Sequence, residues 1–251
     1  MKKILSILLC TTICFACTPA HNDNEEENKN EENSSLIGGL PSYDSFFIHQ
    51  YYRLECLESS PFQKRSSKEG TTFYTVMLDY RVKKLTASEN AQFYHVTGED
   101  NPSNTYLHMC DSYGPEEALI HRFDKLDVIS NADYNDIPAG ESLKDKVVFL
   151  STSAWPIIKV GGKNHHRLLQ SEIEQTLHYQ LMGGYYGTDT YAPVEGKLSD
   201  LTSEDLYLLN THPYESIFAF TEIPAIKDHV FTISYHEGSI VWTIDIPAKF
   251  E

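Results

Sequence analysis

The sequence predicts a mainly β chain, an antiparallel β-sandwich with one or two short helices, and three observations carry that reading. Residues 73–82, FYTVMLDYRV, set Tyr74, Val76, Leu78, Tyr80 and Val82 on one face of an extended chain and Thr75, Asp79 and Arg81 on the other. Near the C-terminus Phe231, Ile233 and Tyr235 alternate, His236-Glu237-Gly238-Ser239 supplies a turn, and Ile240, Trp242, Ile244 and Ile246 alternate again, the pattern of a hairpin. Helical periodicity is scarce, which leaves packed sheets as the way to build a core.

In chain order, weaker strand patterns fall at 45–54, 92–96, 125–130, 147–151 and 216–221. Pro247 is expected to close the last strand, since proline donates no ladder hydrogen bond. One helix is expected over 164–181, where Leu169, Ile173, Leu177 and Leu181 recur at a spacing of four, Ser171 and Glu174 form a capping box, and Gly183-Gly184 follows. A second, shorter helix is expected over 202–209.

The first residues address the chain rather than fold it. Met1-Lys2-Lys3 precedes the uncharged run ILSILLCTTICFA, so residues 1–16 read as a signal peptide, too short for the roughly 20 residues of a membrane span. Cys14-Phe15-Ala16-Cys17 resembles the lipobox of bacterial lipoproteins, although that pattern has small or branched aliphatic residues where this chain has Cys14 and Phe15. Cleavage before a lipidated Cys17 is the expectation, with cleavage after Ala20 as the competing site. Several acyl chains at about 0.8 kcal/mol per buried methylene hold a protein stably to a bilayer. The expected partner through that anchor is therefore a membrane, and the expected location is the outer membrane, facing the cell surface or the periplasm.

Residues 17–35 hold no apolar side chain beyond Ala20 and read as an acidic, disordered tether. An acidic stretch directly behind the lipidated cysteine resembles the surface-export signal of Bacteroidota-type lipoproteins; a solvated spacer is the other reading. What remains, 36–251, is expected to be a single β-rich extracytoplasmic domain.

Charge narrows the partners. The chain carries a net charge of -16. The tether sets six acidic residues against Lys29 and the leader adds two lysines, so about -13 stays with the folded part, a field that repels nucleic acid. Of the five cysteines, Cys10 and Cys14 leave with the leader and Cys17 takes the lipid. Cys56 and Cys110 remain in an oxidising compartment, as a disulfide or as two buried thiols.

Few residues are spaced for chemistry. Asn131, Asp133 and Asn135 offer oxygens at alternate positions, as a calcium loop does, but Asp136 stands where that loop needs glycine and Ser142 where it needs glutamate. A polar turn is expected there instead. His165, His166 and His178 gather near Glu174, yet neither His165 nor His166 has a histidine four residues away, so no zinc site follows. No G-x-S-x-G elbow is present, and Gly161-Gly162-Lys163 is followed by Asn164 rather than the hydroxyl of a P-loop. No cofactor or metal is expected. Trp155, Tyr185, Tyr186, Tyr191 and Trp242 offer flat rings for stacking on sugars; Trp242 belongs by its strand pattern to the core, and the 183–191 loop with Tyr185, Tyr186 and Tyr191 is the better ligand-stacking candidate.

DVISNADYNDIPAGESL at 127–143, followed by FTISYHEGSIVWTIDIP at 231–247, resembles an uncharacterised family of Bacteroidota-type lipoproteins. The resemblance implies a β-rich extracytoplasmic domain of unknown function and carries over no catalytic or binding residue. The functional expectation is a binding or accessory module of the cell envelope, with a glycan or an envelope protein as partner. An extracytoplasmic hydrolase is the alternative.

Overall fold

Where side chains alternate, the backbone extends. The computed structural model describes residues 48, 50–67, 69–90, 117–159, 174–182, 192–211 and 216–251, all within one unit spanning Pro41–Glu251. The strands among them are β1 (Gln50–Ser59), β2 (Gln63–Ser66), β3 (Thr72–Lys84), β4 (Glu117–Leu119), β5 (Lys125–Ser130), β6 (Val147–Ser153), β7 (Ala192–Lys197), β8 (Ser216–Phe220), β9 (Asp228–Glu237) and β10 (Ile240–Lys249). The larger sheet has the order β4-β1-β3-β8-β6-β7, with β2 also paired to β3; the smaller is β10-β9-β5. Every pairing is antiparallel except that of β1 with β4. The chain is a mainly β, antiparallel sandwich with short helices, as the alternation predicts.

The two sheets meet through aromatic rings. Phe220 on β8 stacks on Phe231 of β9 with centroids 4.4 Å apart, and Tyr80 on β3 meets Tyr235 of β9 edge-on at 5.9 Å. Each fully buried ring of this kind contributes about 1.5–3 kcal/mol through the water it sheds. Polar groups inside the layer answer one another: the Tyr80 hydroxyl bonds Ser216 Oγ and lies 3.2 Å from that of Tyr235, and Ser216 Oγ lies 3.3 Å from Ser151 Oγ.

β3 departs from its expected half-burial. Thr75 and Met77 are buried too, because Met77 packs with Leu150, Leu181 and Ile217 on the other face of the sheet. β1 runs later than the expected 45–54, of which 45–47 and 49 lie outside the described residues. A bulge between Leu54 and Cys56 resets its alternation, so Leu54 and Leu57 both reach the core. β5, β6 and β8 match their expected spans to within two residues. The 92–96 strand lies outside the described residues.

The terminal hairpin turns through Gly238 and Ser239, with Gly238 at φ 57°. Glycine first and a negative φ next is a type II′ turn, whose twist suits paired strands. Pro247 does not close β10, which continues to Lys249. The carbonyl oxygens of His236 and Val230 accept the N–H groups of Asp124 and Asn131, so both residues turn their backbone away from β10. Their register partners Val241 and Pro247 therefore turn away from β9, and the N–H that Pro247 lacks belongs to the outer side of an edge strand.

The named helices are α1 (Trp155–Lys159) and α2 (Leu177–Met182), and residues 87–90 form a further helical turn capped by Thr86. Residues 174–176 form a turn, and Thr176 caps α2, its Oγ1 accepting Tyr179 N at 3.2 Å. Residues 164–173 and the two glycines after Met182 lie outside the described residues. The helix expected over 202–209 is a single capped turn. Thr202 and Asp205 form its box, Leu206 N reaches Thr202 O at 3.2 Å, and then Leu208 adopts φ 53°, which no right-handed helix accommodates. No described helix is long and apolar enough to cross a membrane.

Candidate functional site

The turn that replaces the expected helix builds a half-buried aromatic pair. After Leu208 the chain runs beside both β4 and β6: Leu209 O accepts Leu119 N at 2.8 Å, and Asn210 N donates to Thr152 O at 3.0 Å. Ala154 N donates to Leu208 O at 3.0 Å, which starts α1 at this spot, and Arg122 pairs with Tyr207 in an isolated bridge. Three segments far apart in sequence thus converge.

Their side chains form a platform. The rings of Trp155 and Tyr207 lie 4.9 Å apart at 58° and are both half-buried. The Arg122 guanidinium sits 5.7 Å from the centre of the Tyr207 ring and 3.9 Å from Glu204, whose other oxygen takes Lys159 Nζ. Trp155 Nε1 has no acceptor among the described residues. Burial pushes the Tyr207 hydroxyl's pKa up, against a smaller lowering by Arg122, so the phenol is neutral at ordinary pH. The platform combines two half-buried aromatic rings with a rim of fixed charges, and the Trp155 N–H itself is buried. Such a surface binds flat ligand faces edged with hydroxyls.

Beneath it lies a histidine–carboxylate pair. His121 Nδ1 is 2.6 Å from Glu237 Oε2, and its Nε2 accepts Leu54 N–H at 2.9 Å. Because Nε2 is an acceptor, the proton sits on Nδ1 and points at Glu237, whose other oxygen takes Arg122 N–H at 3.0 Å. Both ring nitrogens are engaged within the protein, and the ring is wedged 4.8 Å from Trp242 and 5.5 Å from Phe123. Trp242 packs against the core, as its alternation predicts, while remaining half-buried.

A serine–histidine pair stands elsewhere. Ser130 Oγ lies 2.7 Å from His229 Nδ1, His229 Nε2–H donates to Ile226 O at 2.9 Å, and Ser130 Oγ also accepts Ala132 N–H at 3.2 Å. The arrangement mimics a nucleophile and its base, but Ser130 is 2% exposed and His229 4%. It bonds the 130–132 turn to β9 and offers no room for an acyl group.

The oxygens of Asn131, Asp133 and Asn135 serve the local chain. They accept the N–H groups of Val230, Ala139 and Ala225 respectively, while Asn135, at φ 56°, turns a two-residue loop closed by Tyr134 and Ile137. Among the described residues no three His, Cys, Asp or Glu side chains gather as a metal site. Cys56 is exposed beside the β1 bulge, which corrects the expectation of a buried thiol at that position. Cys17, Cys110, His165, His166, Tyr185, Tyr186 and Tyr191 lie outside the described residues. His178 is buried on α2.

Trp155 was among the rings the sequence offered; Tyr207 and Arg122 were not. Tyr207 was hidden by its assignment to a helix, and no local spacing ties Arg122 to either ring. Compared with known proteins, the chain matches no family model, no curated protein and no solved structure.

Proposed function

We propose that this chain is a lipid-anchored binding or accessory module of the cell envelope, held through Cys17 at the outer membrane, with a glycan as the ligand of its aromatic platform. The observation that carries the reading is the half-exposed Trp155–Tyr207 pair rimmed by Arg122, Glu204 and Lys159. Sugar rings present apolar C–H faces to such rings and hydroxyls to such charges. An enzyme reading draws least support from the two histidine pairs, since each described ring nitrogen in them is already bonded inside the protein.

Glycan-array binding by the detergent-solubilised lipoprotein tests the proposal. Binding to a defined set of glycans is expected, with Trp155→Ala reducing it about tenfold or more and Trp155→Phe less. Binding to no array glycan removes the sugar reading. Mass spectrometry of the mature N-terminus tests the anchor: acyl mass on Cys17 is expected, and a free amino terminus at His21 overturns it.

A further inference from the structure

A sheet edge exposes a row of unpaired N–H and C=O groups, and stable proteins shorten, interrupt or cover such rows. Most edges here are treated that way. β2 and β4 have four and three residues, β7 carries Pro193, and β5 is covered by the 140–143 segment, where Gly140 N and Leu143 N donate to Ser130 O and Val128 O at 2.7 Å. Beyond its pairing with β4 at Gln50–Tyr52, β1 is interrupted by its bulge and gives its Leu54 N–H to His121. The longest unpaired edge is β10, with ten residues, and among the described residues no strand pairs with its outer side, although β1 lies near it.

The hairpin register turns the backbone groups of Val241, Thr243 and Asp245 outward. Pro247 blunts the far end of that edge and nothing comparable blunts the near end, where Ile240 and Val241 are 53% and 47% exposed. On the inner face Trp242 and Ile244 are half-buried, whereas Ile246 and Ala248 further along are buried. Among the described residues no strand covers this end of the layer.

We propose that the outer edge of β10 from Val241 to Asp245 is a strand-addition site for an extended segment of a partner protein in which apolar residues alternate with lysine or arginine. Only another backbone matches a row of alternating donors and acceptors. Apolar residues on one face of the added strand cover Trp242 and Ile244, and basic residues on the other lie beside Asp245 in a chain of net charge -16. A second copy fits poorly. Antiparallel self-pairing centred on Asp245 sets like charges face to face and Thr243 opposite Pro247, and every other register still brings together two chains of net charge -16. The site is separate from the aromatic platform and stands or falls without it.

The test uses the full chain and a fluorescein-labelled alternating valine–lysine octapeptide as probe. A saturable rise in anisotropy is expected, with slowed hydrogen exchange at the amides of Val241, Thr243 and Asp245. Thr243→Pro removes one outward N–H without touching the ladder, as Pro247 does naturally, and is expected to weaken binding about tenfold or more; Thr243→Val keeps the N–H and is expected to bind within about twofold of the parent. A valine–glutamate octapeptide is expected to bind about tenfold more weakly. If Thr243→Pro unfolds, protection of the three amides in the parent protein decides. No binding, equal binding to Thr243→Pro, or a saturated complex with those amides unprotected overturns the proposal. So does a concentration-dependent dimer that protects the same amides, which gives the edge to a second copy.

Discussion

At His121 a ring, a carboxylate and two backbone amides hold one another in a single state. Leu54 N–H points at Nε2, Nδ1–H points at Glu237, and Arg122 N–H takes the remaining carboxylate oxygen. Removing the ring leaves a buried amide and a partly buried carboxylate without their partner, the expensive way to break a hydrogen bond. His121→Ala is therefore expected to cost about 2–4 kcal/mol in urea unfolding, while Glu237→Gln, which keeps an acceptor opposite Nδ1–H, is expected to cost under about 1.5 kcal/mol. Equal losses in the two variants would show that the ring acts by packing alone. The same residue joins the β1 bulge to the tip of the β9–β10 hairpin, so the platform above it shares its fate.

Among the elements, the hairpin rests on one glycine. Gly238 has φ 57°, and a Cβ there meets nothing within 4 Å, so the cost of a side chain is purely conformational. Gly238→Ala is expected to lose about 1 kcal/mol and Gly238→Asn less, because asparagine tolerates the left-handed region. Thermal unfolding checks the order, and equal losses would overturn it. Strands of this kind were legible because alternation runs over many residues: β9 and β10 keep it, and β3 keeps it but for the buried Thr75 and Met77. β1 was half-legible, since one extra residue at the bulge puts Leu54 and Leu57 on the same side at a spacing that reads as neither strand nor helix. β2 is too short and too polar to show a period, β4 is too short, and β7 carries a proline that argues against a strand away from an edge. The turn at 202–207 carries a true capping box, and only the backbone of Leu208, set by bonds to Ala154 and its neighbours, stops it from growing. The candidate site was less legible than the fold, because its parts meet through that stopped turn and across 116 residues between His121 and Glu237.

For the whole molecule, four tyrosine hydroxyls, those of Tyr52, Tyr134, Tyr207 and Tyr235, share one electrostatic bias. Burial raises the pKa of Tyr52 to about 12, helped by Glu117, and raises those of Tyr134, Tyr207 and Tyr235 above the ordinary 10.0. A phenol whose pKa is higher in the folded state than in the unfolded chain lends stability that is whole below pH 10 and falls as pH rises towards 12 and beyond. Alkaline titration followed by tyrosinate absorbance is expected to show a late, steep group of tyrosines that ionises together with loss of circular dichroism. A smooth titration of all tyrosines near pH 10 with the fold intact would contradict it.

Phe250 is buried against Phe62, 5.0 Å away, and against Tyr74 at 4.7 Å, and its amide bonds Lys227 O at 2.9 Å. Glu251 adds a two-way bond with the Tyr74 hydroxyl, 2.9 Å in each direction. The core is thus sealed by residues far apart in sequence. A nascent chain that has not yet reached residue 250 lacks the ring that fills this corner, and its aromatic layer stays open to water, chaperones and proteases.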